Sequence, residues 1–162
     1  MSKTETVKID RLDPNDFFAV MDEIILWNNY EAEHYDRGLE MDEYDRAILG
    51  ERMAMIIQDH EFGMVFVAKD GDEVVGFVVG FITGQRGHIQ ELWVNEDYRG
   101  GKKPIYAELF KTIMLYFRYQ RCIKVNCSFA RHNKSIISLA TKHEFRPVSV
   151  NYQLDLGIGE EA

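Results

Sequence analysis

Only two cysteines, Cys122 and Cys127, occur in the 162 residues. So few thiols exclude a disulfide-stapled scaffold. Spaced five apart along one expected strand, their side chains fall on opposite faces and cannot easily bridge. They read as reduced, buried residues of a cytosolic protein. No apolar run approaches the roughly 20 residues that span a bilayer, so no membrane partner is expected. The stretch from Met1 to Asp10 is too polar for a secretory signal, and a cytoplasmic location is expected. The five histidines show no metal-ligand spacing. No Ser-His-Asp or Cys-His order stands out. The G-x-x-x-x-G-K-S/T spacing of a phosphate loop is missing, as is a dinucleotide fingerprint. No repeat, low-complexity tract or linker divides the chain, so residues 1–162 read as a single domain.

What is present is a globule's composition: 46% hydrophobic and 12% aromatic residues. The net charge of −8 disfavours nucleic acid as a partner. The charge is unevenly spread. Glu31 to Glu51 holds eight acids against Arg37 and Arg46, whereas Arg99 to Lys124 holds seven bases and one acid, Glu108. Lys111, Arg118, Arg121 and Lys124 read as a solvated helix face. Arg99, Lys102 and Lys103, beside Gly100 and Gly101, read better as contacts to an anionic ligand.

Thr4–Ile9 alternates as a first strand. Asp13-Pro14 starts a helix whose apolar face is Phe17, Val20, Met21 and Ile24. Glu31–Leu39 reads as a polar connection, and 41–59 as a second helix with Tyr44, Ile48 and Met55 on one face. Met64–Lys69, Glu73–Ile82 and His88–Val94 form three antiparallel strands, turned at Asp70-Gly71 and at Gly84–Gly87. A helix follows Pro104, carrying Ile105, Leu109, Thr112, Ile113 and Tyr116. Then come a strand at Ile123–Cys127, a short helix with Ile136, Leu139, Ala140 and His143, and a last strand at Val148–Leu156. Strand, helix, strand implies a parallel pair by right-handed crossover. The class is α/β with a mixed sheet.

The informative stretch is 87–145. It contains Glu91-Leu92-Trp93-Val94, then Tyr98-Arg99-Gly100-Gly101-Lys102-Lys103, then Asn133 and Phe145. A glycine turn before a helix is usually only a turn, but helix N-termini also bind phosphate through unpaired amides. A lone Glu on a sheet face is usually exposed or salt-bridged. Strand parity, however, places Glu91 between Ile89 and Trp93, where desolvation would raise its pKa. Asn133 by itself is a helix N-cap.

In this order the segments resemble the acyl-CoA-binding half of the GNAT superfamily of N-acetyltransferases. The resemblance implies a mostly antiparallel mixed sheet with about four helices, ordered β-α-α-β-β-β-α-β-α-β-β. It implies acetyl-CoA as co-substrate, no metal, and an amine-bearing acceptor, with a homodimer as an option. Glu91 would be the general base. Leu92, Trp93, Val94, Arg99, Gly100, Gly101, Lys102, Lys103 and Asn133 would hold the cofactor. The family strand usually bulges at Glu91 and splays from its parallel neighbour. Arg99 matches the first position of the family's Arg/Gln-x-x-Gly-x-Gly/Ala, but Lys102 and Pro104 replace its small residues, which implies a remodelled diphosphate site. Asn133, Leu139 and Phe145 match the last segment. Ala140 stands where the family has its acidic tyrosine, and Glu144 where it has glycine. Tyr98, Tyr106 and Tyr152 are the substitute acids by segment. An acidic wall from Glu31 to Glu51 favours a cationic acceptor. The departures leave open a silent binding or assembly protein of the same fold.

Overall fold

The computed structural model describes residues 6–35, 43–59, 61–101, 104–154 and 156. In chain order the elements are β1 (Val7–Arg11), a 3-10 turn (Pro14–Asp16), α1 (Phe17–Tyr35), α2 (Glu43–Gln58), β2 (Gly63–Asp70) and β3 (Glu73–Thr83). There follow β4 (Arg86–Val94), a 3-10 turn (Glu96–Tyr98), α3 (Ile105–Tyr119), β5 (Lys124–Cys127) and α4 (Lys134–Lys142). The five strands lie side by side in sequence order. The first four are antiparallel and β5 runs parallel to β4. This is the mixed, mostly antiparallel sheet with four helices that the sequence implied.

Local chemistry starts α1 as expected. The Asp13 carboxylate accepts from the Asn15 amide at 2.8 Å, and Pro14 opens the turn that leads into the helix. The helix does not give way at Glu31; it continues to Tyr35. The ring of Tyr30 meets Trp93 edge-on at 5.3 Å, and His34 stacks on Tyr30 at 3.9 Å, so packing carries the last turn. The rest of the expected polar connection, 36–39, lies outside the described residues, as do residues 41 and 42 of the expected second helix. In α2 the buried stripe is Leu49, Met53 and Ile56, while Ile48 and Met55 are exposed. The expected face was therefore rotated by one residue; the side chain of Tyr44 lies outside the described part.

The sheet is covered on both sides, which explains the nearly continuous apolar runs of β2 and β3. Val65, Val67, Phe77, Val79 and Trp93 face α1 and α2. Met64, Ala68, Val78, Ile89 and Leu92 face α3, whose Phe110 and Phe117 are wholly buried. Burying a phenylalanine contributes about 2–3 kcal/mol. Gly80 and Gly87 let α3 approach. A Cβ at Gly87 would lie 2.6 Å from the Phe117 ring, and one at Gly80 would lie 2.7 Å from Ile113. Gly87 is thus a packing residue inside β4. The two-residue hairpin loops are Gly71-Asp72 and Gly84-Gln85, one residue away from the expected turns, with Gly71 and Gly84 at φ +62° and +61°.

Two further expectations change. Cys122 precedes β5, so strand parity does not apply; both free thiols pack against the α3-side core. Burial pushes the Cys127 thiol up to about 11. The segment Val148–Leu156 is not a strand among the described residues. Phe145 meets Phe110 at 5.5 Å, and beyond it no strand pairs with the outer edge of β5 among the described residues. Val148, Val150, Tyr152, Leu154 and Leu156 alternate as a strand would, yet they remain exposed.

Candidate active site

The site begins where the sheet parts. β5 pairs with β4 only from Arg86 to Ile89, whereas β3 pairs with β4 up to Val94. From Gln90 to Val94 one edge of β4 therefore has no neighbouring strand among the described residues. Backbone donors and acceptors of that edge face a gap and can pair with an extended ligand. The register of β4 against β3 skips Gln90, because Val79 faces Glu91 and Gly80 faces Ile89. This bulge lies at the point where the family resemblance placed one.

The bulge also corrects the expected parity. Ile89 packs on the α3 side, while Trp93 packs on the α1/α2 side. Glu91, opposite Val79, faces the α1/α2 side with Trp93 but not with Ile89. Glu91 is 8% exposed, and it is the one buried charged side chain among the described residues. Burial raises its carboxyl to about 7, with Arg52 of α2 pulling the other way. A carboxylate poised near neutrality can accept a proton from an ammonium and release it again.

Beside the parted edge lies a cleft of about 240 Å³. Leu92 and Trp93 of β4, Trp27, Tyr30 and Tyr35 of α1, Arg99, Tyr106 of α3, and Asn133 and Ser135 of the α4 start line it. Glu91 is not in its lining; it lies opposite Val79, on the sheet face of Trp93, where Arg52 of α2 acts on its carboxyl. The Trp93 indole donates from Nε1 to Glu23 Oε2 at 3.0 Å, and burial raises the Glu23 carboxyl above its usual range. Arg99 turns its guanidinium into the cleft. Its Cζ lies 4.6 Å from the centre of Trp93, 4.8 Å from that of Tyr30 and 5.9 Å from that of Tyr106. Its Nε donates to the Val94 carbonyl at 2.8 Å.

After Arg99 the chain turns through Gly100 and Gly101 at φ +87° and +88°, a left-handed pair that glycine alone adopts cheaply. Lys102 and Lys103 lie outside the described residues. Pro104 sits at the N-cap of α3 rather than at its first helical position, and no side chain caps the helix. The proline therefore costs the first helical turn no donor; the Ala107 amide bonds the Pro104 carbonyl at 3.1 Å, and those of Ile105 and Tyr106 have no helical acceptor and are open to an anion. Asn133 caps α4 through a long 3.5 Å contact from the Ile136 amide, and it also lines the cleft.

Of the three candidate acids, the cleft contains Tyr106 alone. Tyr98 donates to Asp70 Oδ2 at 2.8 Å, a bond that pushes its phenol up to about 12. Tyr152 is exposed and lines a different, open groove along β5 and α4. Burial raises the Tyr106 phenol, so it is a proton donor at neutral pH. Ala140 is buried in α4. Tyr35 and Ser135 of the cleft carry no signal in the sequence; Trp27 and Tyr30 are marked there only as aromatics three residues apart on α1.

A mixed sheet parted between its parallel strands, with a buried carboxylate on the parted strand, defines an α/β fold of the acyltransferase kind. The chain belongs to the acetyltransferase (GNAT) family, whose model matches residues 24–145. An acetyltransferase of Sodalis glossinidius is 31% identical over 87 residues, which span 54% of this chain and 60% of that protein. A Trypanosoma brucei acetyltransferase structure has a TM-score of 0.67 at 16% identity, covering 93% of this chain and 99% of its own. The PaiA N-acetyltransferase of Thermoplasma acidophilum, solved with coenzyme A, has a TM-score of 0.69 at 16% identity, over 90% and 92% of the two chains. An aminoglycoside acetyltransferase from a soil metagenome, solved with sisomicin, has a TM-score of 0.65 at 17% identity, over 93% and 98%. At these identities the structural likeness speaks for the fold.

Proposed function

We propose that the protein is an N-acetyltransferase that moves an acetyl group directly from acetyl-CoA to a primary amine. The observation that carries this reading is the buried Glu91, with its carboxyl near 7, on the strand that parts from β5. The pantetheine arm would extend along the free edge of β4 between Gln90 and Val94. The diphosphate would meet Gly100, Gly101, the open start of α3 and the two lysines, Lys102 and Lys103. Asn133 would flank the arm from α4.

In that arrangement Glu91 takes a proton from the ammonium, directly or through a water. The neutral nitrogen attacks the thioester carbon, and a backbone amide of the parted edge stabilises the oxyanion. The carbon–sulfur bond then breaks, and the thiolate takes a proton from Tyr106, which lines the cleft with Tyr30 and Tyr35 and acts in place of the residue missing at Ala140. The proton that the new amide nitrogen sheds returns to the Tyr106 phenolate. Holding amine and thioester together supplies much of the acceleration. The carboxylate of Glu31 in the cleft lining, and that of Glu23 bonded to the Trp93 indole, favour a cationic acceptor.

The test is release of CoA thiol from acetyl-CoA with a panel of primary amines. The reading requires thiol release with at least one amine, matched by an acetylated product. A second reading is a silent binding protein of the same fold, favoured by the buried alanine at 140. It requires no thiol release with any amine.

A further inference from the structure

Arg99 is held in an unusual way for a cation. Among the described residues it has no ion pair; three aromatic faces and one carbonyl hold it. Rings around a cation form a receptor through their negative faces, and the attraction is stronger the drier the contact. Glu23, bonded to the Trp93 indole, and Glu31, in the cleft wall, add negative potential. The cage thus recognises positive charge, and the protein's own arginine occupies it.

Arg99 also begins the glycine turn before α3, where two left-handed glycines make the backbone adaptable. A diphosphate offers several charge-assisted hydrogen bonds against the single neutral carbonyl that Arg99 would give up. Binding of the diphosphate therefore competes for the side chain that fills the cage.

Resting on the acetyl-transfer reading, we propose that the cage of Tyr30, Trp93 and Tyr106 is the receptor for a second cationic group of a diamine acceptor. Arg99 closes it until a CoA diphosphate draws the guanidinium out. The acceptor is then a short aliphatic amine with two positive groups, one seated on the rings and the other presented for acetylation. Binding is ordered, with the CoA ligand first.

The probe is 1,4-diaminobutane, with 1-aminobutane as the single-charge control. Binding is followed by tryptophan fluorescence, because the two tryptophans, Trp27 and Trp93, both line the cleft. CoA should tighten diamine binding at least tenfold in the unaltered protein, and it should barely change 1-aminobutane binding. Arg99→Gln keeps a donor for the Val94 carbonyl but removes the charge. Without CoA it should bind the diamine at least tenfold more tightly than the parent. Arg99→Ala should behave likewise and stands in if the first variant does not fold. Adding Tyr30→Leu to either should abolish the gain. Equal diamine affinity in parent and folded Arg99 variants would overturn the cage, even if acetyl-CoA is still turned over with other amines. If CoA does not bind but the Arg99 variants gain the diamine, the cage stands and the acetyl-transfer reading falls.

Discussion

Replacing Glu91 by glutamine separates the stability of the fold from the chemistry of the site. The side chain is 8% exposed, opposite Val79. Its carboxyl is raised from 4.5 to about 7 by burial, against the pull of Arg52. A carboxyl whose folded-state pKa lies above its unfolded value contributes fully below about pH 4.5 and loses that contribution as pH rises through about 7. The gap is worth about 3 kcal/mol at 1.36 kcal/mol per pKa unit. Glutamine keeps the shape and carries no titration. The variant should therefore gain on the parent as pH rises, by up to about 3 kcal/mol between about pH 5 and about pH 8. Urea unfolding followed by tryptophan fluorescence at several pH values measures this. Over the same range the parent's turnover should rise through about pH 7, and the variant's should stay about a hundredfold lower. Acetyl-CoA affinity should barely change. Parallel stability curves would refute the buried, neutralised carboxyl, and full activity in the variant would refute its role as base.

Changing Lys102 and Lys103 together to Glu should weaken CoA binding by more than about tenfold, or about 1.4 kcal/mol, read by calorimetry. Unchanged affinity would remove the diphosphate from this loop. Gly87→Ala would press a methyl group 2.6 Å from the Phe117 ring, so thermal unfolding should report a loss of about 1–3 kcal/mol. Ala140→Tyr places a large ring at a buried position, and overpacking should likewise cost about 1–3 kcal/mol. If turnover rises in that variant instead, thiolate departure limits the parent enzyme and Tyr106 is not an adequate acid.

Elements with a local signature were legible in the sequence. Asp13-Pro14 announces α1 through its own cap, and the glycines at 71 and 84 announce hairpins through φ. Glu91 and the bulge were reached through motif order, since strand parity alone put Ile89 on the face of Glu91, whereas the parallel β4–β5 pair followed from the strand–helix–strand crossover. The face of α2 was misread because apolar residues surround that helix, and the sheet decides which of them are buried. The strand pattern at Val148–Leu156 is strong locally, but pairing needs a partner edge, and β5 is only four residues long. The Arg99 cage had no sequence signal. It unites α1, β4 and α3, and rings from positions 30, 93 and 106 of the chain meet only after folding.

If the parted edge of β4 and the turn before α3 receive an acyl-CoA, calorimetric titration of the whole protein with acetyl-CoA should show a single site per chain with a micromolar dissociation constant, about −8 kcal/mol. Binding should be weakened in the Lys102/Lys103 double variant and retained in Glu91→Gln. An absence of heat and of any thermal stabilisation by acetyl-CoA, in protein shown to be folded, would contradict such a site.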